Sequence, residues 1–291
     1  FFGPLVADMT YWFQRRRGIA VALCASGNYL AGAIWPPFLQ YGVDTYGWRV
    51  TYLAIAAVCL VTIPPLLVFF RRPPPVQPTL DASGTVFATS RETLGLSPQT
   101  TITLLTIAGI ACCVAMSMPQ VHIVAYCGDL GIGTARGAEM LSLMLLGGVA
   151  SRLISGMISD RLGGLAALMI GSSLQGLALL LYLPFTTLSG LYLVSAIFGL
   201  AQGGIVPSYA VIIRETMGRD ATATRISLVL MATVAGMALG GWLSGLIFDL
   251  TGSYRLAFVH GAAWNLLNLV IALFLFTRFH SRRRQLGAAP A

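Results

Sequence analysis

Arg152 is the residue of this chain whose position most needs a chemical reason. It stands inside residues 137–160, an apolar stretch long enough to cross a bilayer. A guanidinium within such a span costs roughly 2.5–3.5 kcal/mol on insertion scales, so it should face a cavity or a partner. Its planar fork suits a carboxylate bidentately. The competing arrangement is a side chain that snorkels to the edge of the span or pairs with Asp160. Just beyond it, Gly156-Met-Ile-Ser-Asp160-Arg161-Leu-Gly163-Gly164 ends one stretch and turns tightly into the next. Asp160 and Arg161 stand at the membrane face of that turn. An ordinary polar turn between helices is the plainer reading.

Other candidates are weaker. His122, three residues after Pro119, can hydrogen-bond a ligand or carry a proton, and a buried structural role fits it equally well. Tyr209 follows Pro207 by two residues; the proline would kink its helix and the phenol would offer a hydroxyl to a cavity. His260 reads as helix packing. The five cysteines, Cys24, Cys59, Cys112, Cys113 and Cys127, all lie in apolar stretches without paired CxxC spacing. They read as small packing residues, and neither a metal nor a cofactor is expected.

What must position these residues is a set of membrane helices. Of 291 residues 56% are hydrophobic and 10% charged, with a mean hydropathy of +0.79. A soluble domain carries about 25% charge, so an ordinary soluble enzyme is excluded. Three scattered histidines, with no H-E-x-x-H and no paired intramembrane acids, also argue against a membrane-embedded enzyme. A crossing needs about 20 apolar residues. Residues 18–43, 50–70, 100–127, 137–160, 226–248 and 256–277 each read as one span. The long interval 162–213 divides into two at Pro184–Gly190, which makes eight. Residues 1–13 are apolar apart from Asp8 and read as a ninth, truncated span rather than a signal peptide.

The basic residues are 18 arginines against 10 acids, net +8. Threading the spans in alternation puts fourteen arginines on one face and only Arg49, Arg136 and Arg255 on the other. That is the sorting of a membrane protein with a cytoplasmic C-terminus, not of a nucleic-acid binder. Residues 71–98, rich in Pro, Ser and Thr, read as a cytoplasmic linker. They separate a first bundle, 1–70, from a six-helix second bundle, 99–291. Asp44-Thr-Tyr-Gly47-Trp48-Arg49 returns as Asp249-Leu-Thr-Gly252-Ser-Tyr254-Arg255, the mark of a parallel duplication. On that offset, the counterparts of residues 100–184 belong before Phe1, and a parent of twelve helices is expected.

On these residues the chain resembles the major facilitator superfamily, and within it the monocarboxylate-transporter-like branch that approaches the oxalate/formate antiporters. The resemblance is carried by Trp12-Phe13-Gln14-Arg15-Arg16-Arg17-Gly18-Ile19-Ala20 leading to Ala25-Ser26-Gly27. It continues through His122-Ile-Val-Ala-Tyr126 with Asp129-Leu-Gly131-Ile132, and through Arg152-xxx-Gly156-xxx-Asp160-Arg161-x-Gly163-Gly164. It covers essentially the whole chain. It implies an all-α integral membrane fold of two helical bundles and alternating-access transport of a small organic anion, a monocarboxylate, with a coupling proton or counter-anion. The plasma (inner) membrane would be its home. By the same resemblance Arg152 would bind the substrate carboxylate, with His122 and Tyr209 as further substrate residues. Gly156, Asp160, Arg161 and Gly163 would form the latch between bundles. The acid that usually stands one turn before this arginine in proton-coupled carriers is Gly148 here, so proton coupling through it does not carry over. Residues 226–248 lack the second basic residue of the oxalate/formate antiporters, which favours a monocarboxylate over a dicarboxylate. A non-transporting membrane protein or sensor of the same fold is the alternative expectation.

Overall fold

In a computed structural model, residues 2–13, 16–69, 93–217 and 223–287 are described. The chain runs as helices α1 (Phe2–Trp12), α2 (Arg17–Tyr46), α3 (Trp48–Phe69), α4 (Pro98–Asp129), α5 (Thr134–Leu162) and α6 (Gly164–Leu181). It continues with α7 (Leu188–Gln202), α8 (Ile205–Met217), α9 (Ala223–Thr251) and α10 (Tyr254–Gly287). Eight spans long and apolar enough to cross a membrane are found among the described residues, at the places where the gaps between charges put them. Most of the expected linker, residues 71–92, lies outside the described residues, as does Arg15.

Helix ends follow local chemistry. Ser97 caps α4, its hydroxyl accepting from the Thr100 N–H at 3.1 Å, with Pro98 in the first turn. Thr187 caps α7 in the same way through the Gly190 N–H at 3.3 Å. The duplicated Asp-x-x-Gly segments are structurally equivalent. Gly47 ends α2 at φ +78° and Gly252 ends α9 at φ +63°, and each glycine N–H closes on the carbonyl four residues back. A left-handed residue there favours glycine because a Cβ would clash with the backbone.

The second bundle packs α4 against α9 and α10, α5 against α7, and α6 against α10. Its core has two parts. One gathers Leu105, Leu168, Tyr209 and Ile212 near the starts of α4 and α6, and the other gathers Met140, Met144, Phe198 and Phe258. The Tyr182 ring stacks on Phe258 at 4.7 Å in the second part. From the first bundle, α2 lies along α5 and touches α8, and α1 lies against α9. The α2–α5 seam therefore joins the bundles and carries Arg152.

The span after Gly190 breaks at Gly203–Gly204 into α7 and α8, three to four residues before Pro207, where the proline's missing N–H leaves the Gly203 carbonyl without its helical partner. The break coincides with close approach to α5. A Cβ on Gly203 would overlap the Gly148 carbonyl, and one on Gly204 would overlap the Ser155 side chain. The two glycines let the backbone press against α5 and turn a carbonyl toward it.

Candidate substrate site and interbundle contact

Arg152 is 3% exposed. It neither snorkels out nor pairs with Asp160. Its Nε donates to the Gly203 carbonyl at 3.0 Å, so the broken helix supplies one acceptor. Nη1 donates to the Ala25 carbonyl and, at 2.8 Å, to Asn28 Oδ1. Both of these acceptors belong to α2. The guanidinium carbon also sits 3.6 Å from the centroid of the Tyr29 ring. Every one of these partners is neutral, and no carboxylate among the described residues is within ion-pair distance of Arg152. A buried cation held only by neutral acceptors can exchange them for a carboxylate, because a charge-assisted bond is about twice as strong. Asn28 is exposed while Arg152 is not, so the cation lies just beneath the surface where α2 and α5 meet.

Polar side chains extend the site. The Gln120 Nε2 amide donates to Gln202 Oε1 at 2.7 Å and reaches the Tyr29 hydroxyl at 3.4 Å. Gln202 is fully buried, and its own Nε2 has no hydrogen-bond partner among the described residues. Asn28, Tyr29, Gln120 and Gln202 were not singled out by sequence reasoning. Their signal was present, since each is a polar residue within an otherwise apolar span, but their convergence is tertiary.

The second feature lies one to two turns further along α5. Asp160 Oδ1 accepts the Gly18 N–H at 2.6 Å and Oδ2 accepts the Ile19 N–H at 3.1 Å. The carboxylate of one bundle thus caps the first turn of α2 in the other, where the helix dipole favours negative charge. Gly156 makes the approach possible. A Cβ there would fall 2.8 Å from the Gly18 carbonyl oxygen, and a Cβ on Gly18 would overlap the Gly156 carbonyl. Gly163, at φ +89°, closes the turn with its N–H on the Ser159 carbonyl at 2.9 Å. Glu215 Oε2 then accepts the Gly164 N–H at 2.8 Å and caps α6 from α8. Arg161 is exposed and makes no hydrogen bond or ion pair among the described residues. Nearby, the Arg214 guanidinium carbon lies 4.4 Å over the Tyr11 ring, a further contact between bundles. Between Arg152 and Asp160 a void of ≈ 10 Å³, lined by Gly18, Ser155, Gly156 and Ser208, has room for about one water.

Thus Arg152, Gly156 and Asp160 come together along one seam, whereas His122 and Tyr209 lie elsewhere. His122 Nε2 is bonded to the Gly241 carbonyl at 2.9 Å, joining α4 to α9 near Tyr254. Tyr209 does not offer its hydroxyl to a cavity as expected. It is 0% exposed and donates to Asn268 Oδ1 at 2.9 Å, while Asn268 Nδ2 donates to Ser172 Oγ at 2.7 Å. This network ties α8 to α10 and α6 inside the second bundle. His260 accepts from Trp264 Nε1 at 2.8 Å within α10, as packing predicts.

Comparison with known proteins agrees with this architecture. Monocarboxylate transporter 13 of Bos taurus is 29% identical over 269 residues, covering 90% of this chain and 61% of the relative. The MFS-type transporter pynF of Aspergillus niger is 24% identical over 250 residues, 85% of this chain and 56% of the relative. The chain therefore spans about 60% of the length of the curated relatives it matches. Among solved structures, the transporter FucP in the outward conformation superposes with a TM-score of 0.66 at 15% identity, over 94% of this chain and 71% of that one. The human organic anion transporter MFSD10 superposes at 0.68 and 16% identity, over 93% and 66%. The sequence profile described as Major Facilitator Superfamily matches residues 1–193 and again 105–291. With eight membrane-length helices and that match over its whole length, the chain is an integral membrane protein belonging to the Major Facilitator Superfamily.

Proposed function

We propose that the chain forms most of a secondary transporter that carries a small monocarboxylate across the plasma (inner) membrane by alternating access, with its C-terminus in the cytoplasm. The observation that carries this reading is Arg152: a buried cation between two bundles, bonded to neutral acceptors of α2, α7 and the Tyr29 ring. A substrate carboxylate would displace the α2 acceptors and so alter the contact between bundles at the moment of binding. Asp160, with Gly18, Gly156 and Gly163 shaping its approach, is the latch of this conformation. The naming of relatives as monocarboxylate transporters supports the substrate class.

The test is uptake of radiolabelled monocarboxylates into proteoliposomes holding the full-length protein. Arg152→Lys should lose most uptake at normal membrane abundance, because an ammonium cannot copy the bidentate fork. Undiminished uptake in that variant would return Arg152 to a structural role.

A further inference from the structure

We propose that Tyr29 is a wedge seated in a notch made by Gly148, and that this pair positions Arg152 and controls whether the two bundles part; the proposal rests on the transport reading above. Tyr29 belongs to α2, and Gly148 and Arg152 stand one turn apart on α5. A Cβ on Gly148 would fall 2.5 Å from Cε2 and 2.6 Å from Cδ2 of the Tyr29 ring. Real Cβ atoms do not approach so closely, so only hydrogen fits at position 148 while the ring is seated. The ring is 9% exposed, and its centroid lies 3.6 Å from the Arg152 guanidinium carbon. Its hydroxyl end reaches past α5, 3.8 Å from Met116 Sδ and 3.4 Å from Gln120 Nε2, both on α4.

Three consequences follow from that placement. The ring is anchored on the first bundle but is enclosed by two helices of the second, so the bundles cannot separate at this seam unless it withdraws. Cation–π attraction is strongest for a desolvated cation, and Arg152 is such a cation. The guanidinium binds acceptors through the N–H groups in its own plane, where Ala25 and Asn28 now sit, and the Tyr29 ring lies against it. An incoming carboxylate would take the place of those α2 acceptors. Tyr29 is a positioning residue that holds the guanidinium in place.

The experiment reads bundle separation directly. In the full-length protein with native cysteines replaced by alanine, Ala22→Cys places a thiol in the α2–α5 seam, at a position now 1% exposed. Its labelling by a membrane-impermeant maleimide is followed from the cytoplasmic side in vesicles without substrate. Gly148→Val and Tyr29→Leu should each raise the labelling rate about tenfold, and Tyr29→Phe, which keeps the ring, should not. Because both lesions act through one contact, the Tyr29→Leu/Gly148→Val double variant should label no faster than either single one. Unchanged labelling in Tyr29→Leu, or a double variant that multiplies the two single effects, overturns the wedge. If Gly148→Val does not reach the membrane, Gly148→Ala and Tyr29→Leu carry the same comparison. Failure of the unaltered protein to take up any monocarboxylate would overturn the functional reading alone, since the labelling needs no substrate.

Discussion

Asp160 Oδ1 lies 2.6 Å from the backbone nitrogen of Gly18, so the carboxylate near the end of α5 closes the part-buried first turn of α2. The contact pairs a full negative charge with the positive end of a helix dipole, worth about 0.3–1 kcal/mol at exposed sites and up to about 2 kcal/mol when partly buried. Asp160→Asn keeps an acceptor and removes the charge, whereas Asp160→Ala removes both. Spin labels at Arg16 and Leu162 report the gap between α2 and α5. The prediction is a new long-distance population, small in the Asn variant and larger in the Ala variant. An unchanged distance distribution in Asp160→Ala would separate this contact from bundle closure.

The glycine seam makes a second prediction, on stability. Gly156 has the Gly18 carbonyl and Ala22 Cβ where its own Cβ would go, whereas Gly27 has nothing within 4 Å. Gly156→Val should therefore destabilise the purified protein by about 1–3 kcal/mol, the usual cost of overpacking. Gly27→Ala, on the facing helix α2, should be neutral or stabilising by a few tenths to about 1 kcal/mol, because alanine loses less backbone entropy. Thermal unfolding in detergent distinguishes them, and equal shifts would mean the seam is not tightly packed in solution.

These two cases show what kind of information the sequence held. Spans were legible because charge is costly in a bilayer, and the turn at Gly163 because glycine and an acid punctuate an apolar run. Asp160 could be named as a latch residue, but its partner is a pair of backbone N–H groups more than 140 positions earlier. A backbone group carries no sequence signal, and that is also why Arg161 was given a share of the latch it does not take in this conformation. The break at Gly203–Gly204 was legible as the Pro207 kink, since the proline leaves the Gly203 carbonyl without a helical donor. The donor that takes that carbonyl, Arg152 Nε, is tertiary and was not legible. Tyr29 over Gly148 was illegible from either residue alone, since the glycine records only that something large comes close.

Sidedness supplies a third prediction. On the arginine distribution, we propose that the α10 C-terminus lies in the cytoplasm and the Gly252 turn outside. Ser281 is exposed at one end of α10, and Ser253 lies at the other. Cysteines introduced there should react with an impermeant thiol reagent from opposite sides of the membrane, Ser281→Cys from the cytoplasm and Ser253→Cys from outside. The reverse pattern would invert the orientation and move the Asp160 contact to the outer gate.

The last prediction separates Tyr209 from the substrate. Its hydroxyl is spent on Asn268, and the residues that line the void beside Arg152 from α8 are Pro207, Ser208 and Val211. Tyr209→Phe keeps the ring and deletes one donor, which leaves the buried Asn268 Oδ1 short of a partner. An unsatisfied buried acceptor costs about 1–3 kcal/mol, so the variant should unfold at lower temperature. Asn268 still donates to Ser172, so α6 and α10 should stay joined and the protein should still assemble. Because the lost bond lies inside the second bundle, KM for the transported carboxylate should be unchanged, with any fall in uptake following the amount of folded protein. A severalfold rise in KM at unchanged thermal stability would instead mean that the hydroxyl leaves Asn268 for the substrate during the transport cycle.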